Sequence, residues 1–350
     1  MSLGHAKTKV VIVGGGTGTH TALRGLKRYA DRLDIAAIVT MADSGGSSGR
    51  LRDEFGQLPA GDVRNALTAL AADGDEHDLL LRELFEYRFA RGSGLSGHNF
   101  GNLFLTALTD ILGSESAAIV AASRILRVSG RVVPVTLDQT DLVAEYSDGT
   151  LLGSEHAIDT HVCGPGVRIT SLRLSKHATL NPEAETTLSE ADLIVIGPGD
   201  LYTSVLANCV VPGFAEALAS ASARVVYVAN LMAKAGHTTG LHAAEHLAEV
   251  ERYAKRTPDV MIVNSSPLSP ALLLRYAEEG AHPIENNCVD GVCRIYSAPL
   301  VSERIYDPVS GDELKRSLVR HDADALAKAI LACLKLAETA SPLRPNPTHA

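Results

Sequence analysis

The residues best suited to chemistry are Gly14, Gly15, Gly16, Thr17, Gly18 and Thr19, which follow directly on the β-branched run 10–13. Val-Val-Ile-Val, apolar on both faces, predicts a strand buried on both sides in a parallel sheet. The amphipathic stretch 20–29 predicts a helix leaving the turn. Glycines let the backbone come close to a ligand. The unpaired N–H groups of the helix's first turn, with its dipole, then favour an anion, usually phosphate. The Thr17 hydroxyl adds a donor. The spacing Gly14-x-Gly16-x-Gly18 is not the dinucleotide fingerprint G-x-G-x-x-G, and no G-x-x-x-x-G-K-[ST] occurs. An ordinary NAD(P) enzyme is therefore the weakest of three readings, behind a nucleotide-diphosphate binder and a transferase.

A second set lies in the polar, glycine-rich stretch 42–62 and just beyond it: Asp43, Ser44, Arg50, Arg52, Asp62, Arg64 and Asn65. It follows the predicted second strand (35–40), where ligands bind in open α/β sheets. The pattern reads as a functional loop, because charges are interleaved with the Gly and Ser. Asp43 and Asp62 suit ribose or sugar hydroxyls, or a magnesium ion. The arginines suit phosphate oxygens. The stretch 94–102 places His98, Asn99 and Asn102 among glycines at a helix start, again offering polar groups to a pocket. Further on, Gly197, Gly199 and Tyr202 follow a buried strand, and Asn230 and Lys234 follow the next. Asn230 can read the edge of a base or sugar, Tyr202 can border the ligand, and Lys234 can contact phosphate.

The elements that must position these groups alternate. Strands are expected at 10–13, 35–40, 192–196, 224–229 and 260–264, and helices at 66–72, 78–89, 102–112, 116–126, 183–190, 214–222, 241–255, 270–279 and 322–338. Residues 131–174 instead show period-2 alternation around Ser147-Asp148-Gly149-Thr150, the mark of short antiparallel strands. The expected fold is a Rossmann-like, doubly wound α/β domain with a mostly parallel sheet, spanning 1–320. It carries a helical insertion at about 62–127 and a small antiparallel β insertion at about 131–174. A C-terminal helix and flexible tail occupy 321–350, and 1–5 reads as a loose terminus.

The totals bound the function. The chain has 350 residues, 45% hydrophobic and 21% charged, with a net charge of −9, values normal for a soluble globular protein. There is no run of Lys or Arg, which argues against nucleic-acid binding. Five scattered cysteines fit a reducing compartment rather than a disulfide framework. No apolar run approaches a membrane span, so a cytoplasmic location is expected, and a homo-oligomer is compatible with these features.

In order along the chain, GGGTG, ADSGGSSGRLR, PAGDVRN, GHNFGN, GPGDLYTS and NLM resemble the YvcK family, the gluconeogenesis-factor proteins of the CofD-like superfamily, over residues 9–286. The resemblance implies a Rossmann-like protein that binds a UDP-sugar such as UDP-N-acetylglucosamine, linked to cell shape and envelope synthesis. It also implies an enzymatic alternative like 2-phospho-L-lactate transferase, with a divalent metal such as magnesium and the acceptor-site aspartate at Asp43, which would also touch the metal; Asp62 is the second candidate catalytic carboxylate. Where that family often has two consecutive acidic residues, this chain has Asp43-Ser44. Where Thr-Gln-Pro-Gly-Glu-Thr is expected, it has Ala233-Lys234-Ala235-Gly236-His237-Thr238.

Overall fold

The computed structural model describes residues 6–164, 166–289, 291, 293–304 and 318–335. The chain opens with β1 (Thr8–Gly14), α1 (Gly16–Lys27) and β2 (Leu33–Val39). Five helices follow: α2 (Gly46–Phe55), α3 (Gly61–Leu70), α4 (Glu76–Glu86), α5 (Phe100–Leu112) and α6 (Glu115–Ile125). They lead to β3 (Arg131–Pro134), then β4 (Leu142–Tyr146), β5 (Leu151–Leu152), α7 (Glu155–Thr160) and β6 (Ile169–Leu174). The second half runs α8 (Pro182–Ser189), β7 (Leu193–Ile196), a π-helical turn (Leu201–Leu206), α9 (Ala207–Cys209), α10 (Phe214–Ser220) and β8 (Arg224–Val228). It ends with α11 (Ala243–Ala254), β9 (Val260–Asn264), α12 (Pro270–Glu278), β10 (Arg294–Ala298) and α13 (Ala323–Lys335).

Seven strands form one parallel sheet in the order β10-β9-β8-β7-β1-β2-β3. From β1 the chain winds outward through β2 to β3. It then returns to the other side of β1 and winds through β7, β8, β9 and β10. The direction reverses between β1 and β7, and the mouth of an α/β sheet opens at such a reversal.

Strand side chains alternate between two cores. Val10, Ile12, Ile35, Ala37, Val195, Val226 and Ile262 face α1, α3 and α13. Val11, Val13, Ile38, Ile194, Tyr227 and Met261 face the opposite layer, which comprises α8, α10, α11 and the three-stranded antiparallel sheet β5-β4-β6. α13 belongs to the first core: Leu326, Ala327, Ile330 and Cys333 are buried there, and Gly25 of α1 lets the Ala323 carbonyl approach closely.

The expected α/β architecture is the one observed, with four corrections. Residues 42–62 are not one loop. They contain α2, which Leu51 and the C-capping Gly56 (φ 66°) define and flanking glycines obscured. The run 132–134 is not antiparallel; it is β3, the parallel edge strand beside β2. The segment after β7 is a π-helical turn rather than a loop, and α7 and β10 were not foreseen. The expected loose terminus at 1–5 and the tail beyond 335 lie outside the described residues.

Candidate functional site

The two strands at the reversal end in the two glycine turns picked out by their composition. Gly197 N–H donates to the Val13 carbonyl at 2.8 Å, and the Thr40 N–H after β2 donates to the Gly14 carbonyl at 3.1 Å. The Asn208 amide also donates to Gly14 carbonyl at 3.2 Å and to Ser204 carbonyl at 2.8 Å, so it ties the turn after β1 to the turn after β7. Asn208 is fully buried and was missed by sequence reasoning, because nothing near it in the chain marks it.

The reason for each glycine differs from the expectation. A Cβ on Gly14 would collide with the Thr19 hydroxyl, and one on Gly15 would stand 2.5 Å from an Asp62 carboxyl oxygen. One on Gly18 would collide with the Pro198 carbonyl. At those positions the close neighbour is the protein itself. Gly16 is different: its φ of 65° is a left-handed conformation, and its missing Cβ points to open space whose nearest atom is Ser204 Oγ at 3.5 Å. The accessible side of the turn is therefore at Gly16.

α1 begins at Gly16 with no side-chain cap of its own. Its N–H donates to Asp62 Oδ1 at 2.7 Å, so a carboxyl from the first turn of α3 takes the place an external anion would take. Burial, then the Asp43 charge, pushes Asp62 up to about 7, against the pull of the Gly16 N–H. The Asn65 amide also bonds to Asp62, while its own oxygen accepts from Arg64 at 2.7 Å.

Asp43 Oδ1 accepts from the Gly45 N–H at 3.0 Å, holding the start of α2. The adjacent Ser44 faces α7: its N–H donates to Glu155 Oε2 at 3.4 Å, and its hydroxyl accepts from the His156 N–H at 2.9 Å. A further carboxyl thus reaches this loop from over a hundred positions along the chain. Burial and the Asp43 and Asp159 charges push Glu155 above the usual carboxylate range. Glu155 also escaped the sequence reading, because only the fold brings α7 here.

Lys234 does not stand free for phosphate. Its ammonium bridges Asp159 of α7 and Asp200 after β7, the latter at 2.7 Å. Burial works against its charge, but the two carboxylates more than offset that and hold its pKa above the usual lysine value. His237, buried, faces the Ile158 carbonyl at 2.7 Å, so the 234–238 loop grips α7 twice. Asn230, half-buried at the end of β8, bonds to none of the described residues.

Four expected ligand groups make contacts within the framework. The Tyr202 ring is 2% exposed and its hydroxyl bonds to Glu249 at 3.2 Å, so it cannot stack on a ligand. His98 and Asn102 are buried and clamp α2: His98 Nδ1 meets Ser47 Oγ at 3.3 Å, and the Asn102 amide donates to Ser48 Oγ at 3.2 Å. Arg50 is exposed and spans to the Ser96 carbonyl at 3.2 Å. The groups that remain at the mouth are Gly16, Thr17, Asp43, Asp62, Asn65, Glu155, Gly199, Asp200, Ser204, Asn230 and Lys234. No three His, Cys, Asp or Glu side chains among the described residues come together as a metal site.

This arrangement has known counterparts. The sequence profile of the CofD family, described as 2-phospho-L-lactate transferase CofD, matches residues 10–301. The chain belongs to the CofD family. Within that family it is 43% identical to the gluconeogenesis factor of Halalkalibacterium halodurans, over 79% of this chain and 84% of that one. It is 36% identical to the Bacillus subtilis gluconeogenesis factor, over 94% of this chain and 99% of that one. A crystal structure of a UPF0052-family protein from Bacillus halodurans superposes with a TM-score of 0.82 at 38% identity, covering 94% of this chain and all of the other. Among the described residues, no single helix of this CofD-family chain is long and apolar enough to cross a membrane.

Proposed function

We propose that the mouth between β1 and β7 binds a nucleoside diphosphate sugar of the UDP-N-acetylglucosamine type. In this reading the chain is a regulatory, gluconeogenesis-factor protein that senses this ligand in connection with cell shape and envelope synthesis. The observation that carries the reading is Gly16: the helix N-terminus at a sheet reversal is open there, and a carboxyl from its own chain already rests on that N–H. A diphosphate is the natural replacement for that carboxyl. Asp43, Asn65 and Asn230 then suit the hydroxyl and amide groups of the sugar and base. Membership of the CofD family supports a nucleotide-linked ligand, and the relatives named gluconeogenesis factor support the gluconeogenesis-factor part of the reading.

A second reading, transfer of a phospho-acyl group from a nucleotide-linked donor, draws on Asp62 itself. A carboxyl held near 7 is poised as a general base for an acceptor hydroxyl. The magnesium that the family resemblance implies would be held by Asp43, with Asp62 beside it and the diphosphate oxygens completing the set, the one- or two-carboxylate arrangement that magnesium takes.

Thermal unfolding with UDP-N-acetylglucosamine, GDP or NAD, each with and without magnesium, separates the readings. The regulatory reading expects a rise in Tm with the UDP-sugar alone, independent of magnesium, and no consumption of ligand over hours. Stabilisation by GDP only, or only with magnesium, would overturn it in favour of transfer chemistry.

A further inference from the structure

On the face of the molecule that carries the small sheet, β6, the α9–α10 connection and the end of α11 border an open groove of about 490 Å³, comparable in volume to small-molecule sites. Three cations line it: Arg173 from β6, and Arg252 and Lys255 from α11. One carboxylate, Glu216, lines it with them and pairs with Lys255 at 2.8 Å on the exposed rim. Behind Arg252 stands Glu249, at 3.1 Å. In a chain of net charge −9, this local excess of cations runs against the average.

The three cations are engaged unequally: Lys255 pairs with Glu216, Arg252 also donates to the Thr170 carbonyl and to Glu249, and Arg173 is the least committed. The Arg173 guanidinium is exposed and reaches only the carbonyl of its own neighbour Leu174, at 3.4 Å. Arg252 lies over the Tyr253 ring, 4.7 Å from its centre. The Tyr253 hydroxyl accepts from the Leu172 N–H at 2.8 Å and from Arg252 at 2.9 Å, which leaves its own proton to give. Lys255 ends α11 with a φ of 52°, a left-handed position where glycine is the comfortable residue. The floor, Leu172, Val210 and Val211, is apolar and suits the body of a ligand rather than bare water.

We propose that this groove binds a small phosphorylated metabolite, with the phosphate held by Arg173, Arg252 and Lys255 and the carbon body on the apolar floor. It is an effector site, because two connections run from it to the mouth between β1 and β7. Arg252 bonds to Glu249, which accepts from Tyr202 in the π-helical turn. Cys209, on the groove wall, is the chain neighbour of Asn208, which holds the Gly14 carbonyl. A phosphate that draws Arg252 away from Glu249 alters the first link.

Equilibrium dialysis with radiolabelled inorganic pyrophosphate tests the site. The intact chain is expected to take up two equivalents, one in each place. Arg173→Ala combined with Lys255→Gly should lose one equivalent and weaken it by about tenfold or more. Its melting temperature should be unchanged or higher, since glycine relaxes the left-handed position. Arg173→Lys should retain most of that binding. If the reading of the β1–β7 mouth fails instead, the intact chain takes up one equivalent and the same double variant abolishes it. Pyrophosphate uptake unchanged in the folded double variant would overturn the effector site.

Discussion

Gly16 and Gly18, two positions apart in the same turn, are held to glycine for different reasons, and substitution separates them. At Gly16 an added methyl group meets nothing closer than Ser204 Oγ at 3.5 Å, so Gly16→Ala pays only for its left-handed backbone, about 1 kcal/mol. The same methyl enters the mouth beside the helix N–H groups, and diphosphate affinity should fall about tenfold or more. At Gly18 the methyl meets the Pro198 carbonyl, which is backbone and cannot rotate away. Gly18→Ala should therefore cost about 2 kcal/mol or more in stability. Urea unfolding and calorimetric titration of UDP on both variants check this pair. A Gly16→Ala protein that binds as well as the parent would count against the anion site. At this scale the sequence announced the turn and Asp62 but not their bond, because the partners are 46 positions apart. Tyr202 was misjudged because position after a strand does not say which core a side chain enters.

Among the elements, α7 has the most consequence for its length. It makes contact with two loops of the mouth: Glu155 and His156 with Ser44 after β2, and Asp159 and the Ile158 carbonyl with Lys234 and His237 after β8. Lys234 is the cation that lets Asp159 and Asp200 share this space. Lys234→Ala leaves those two carboxylates facing each other. The loss should be about 1–2 kcal/mol, less than for a fully buried pair, because all three side chains keep partial access to water. Asp159→Asn in the same chain should restore part of it. Hydrogen exchange is expected to speed up at 155–160 in Lys234→Ala and to slow again in the double variant. Equal exchange in all three proteins would mean that the bridge does not hold α7. This helix was illegible beforehand because one and a half turns give too few repeats for a 3.6-residue period. α2 was hidden for another reason: glycines at both ends and serines in its first turn gave it the composition of a loop. The long parallel strands and α1, by contrast, were legible from unbroken apolar runs and amphipathic spacing.

For the molecule as a whole, a doubly wound parallel sheet followed from the alternation of strands and helices, but the strand order that puts the reversal beside β1 and β3 and β10 at the two edges did not. Edge strands here are short or half-exposed, and their patterns match those of the antiparallel insertion. What the whole charge distribution adds is a pH dependence. An acidic chain of net charge −9 must bring an anion to a mouth that holds Asp43, Asp62, Glu155, Asp159 and Asp200 against Lys234. Because Asp62 is raised to about 7, the folded chain keeps a proton there that the unfolded chain releases near its ordinary value of 3.8. Its contribution to stability is present at low pH and is lost as pH rises through about 7. Glu155 shifts in the same direction. Ligand binding should follow the same sense, since each ionisation adds negative charge beside the diphosphate. UDP affinity is expected to weaken about tenfold between roughly pH 6 and pH 8.5, and 0.5 M salt, by shortening the screening length to about 4 Å, should flatten the trend. Asp62→Asn keeps an oxygen for the Gly16 N–H but cannot ionise, so it should show higher stability than the parent at the alkaline end and a shallower affinity profile. Titration calorimetry across that range on both proteins decides it: an affinity that rises with pH in the parent would show that the carboxyls at the mouth act in their charged form and that the diphosphate seat lies elsewhere.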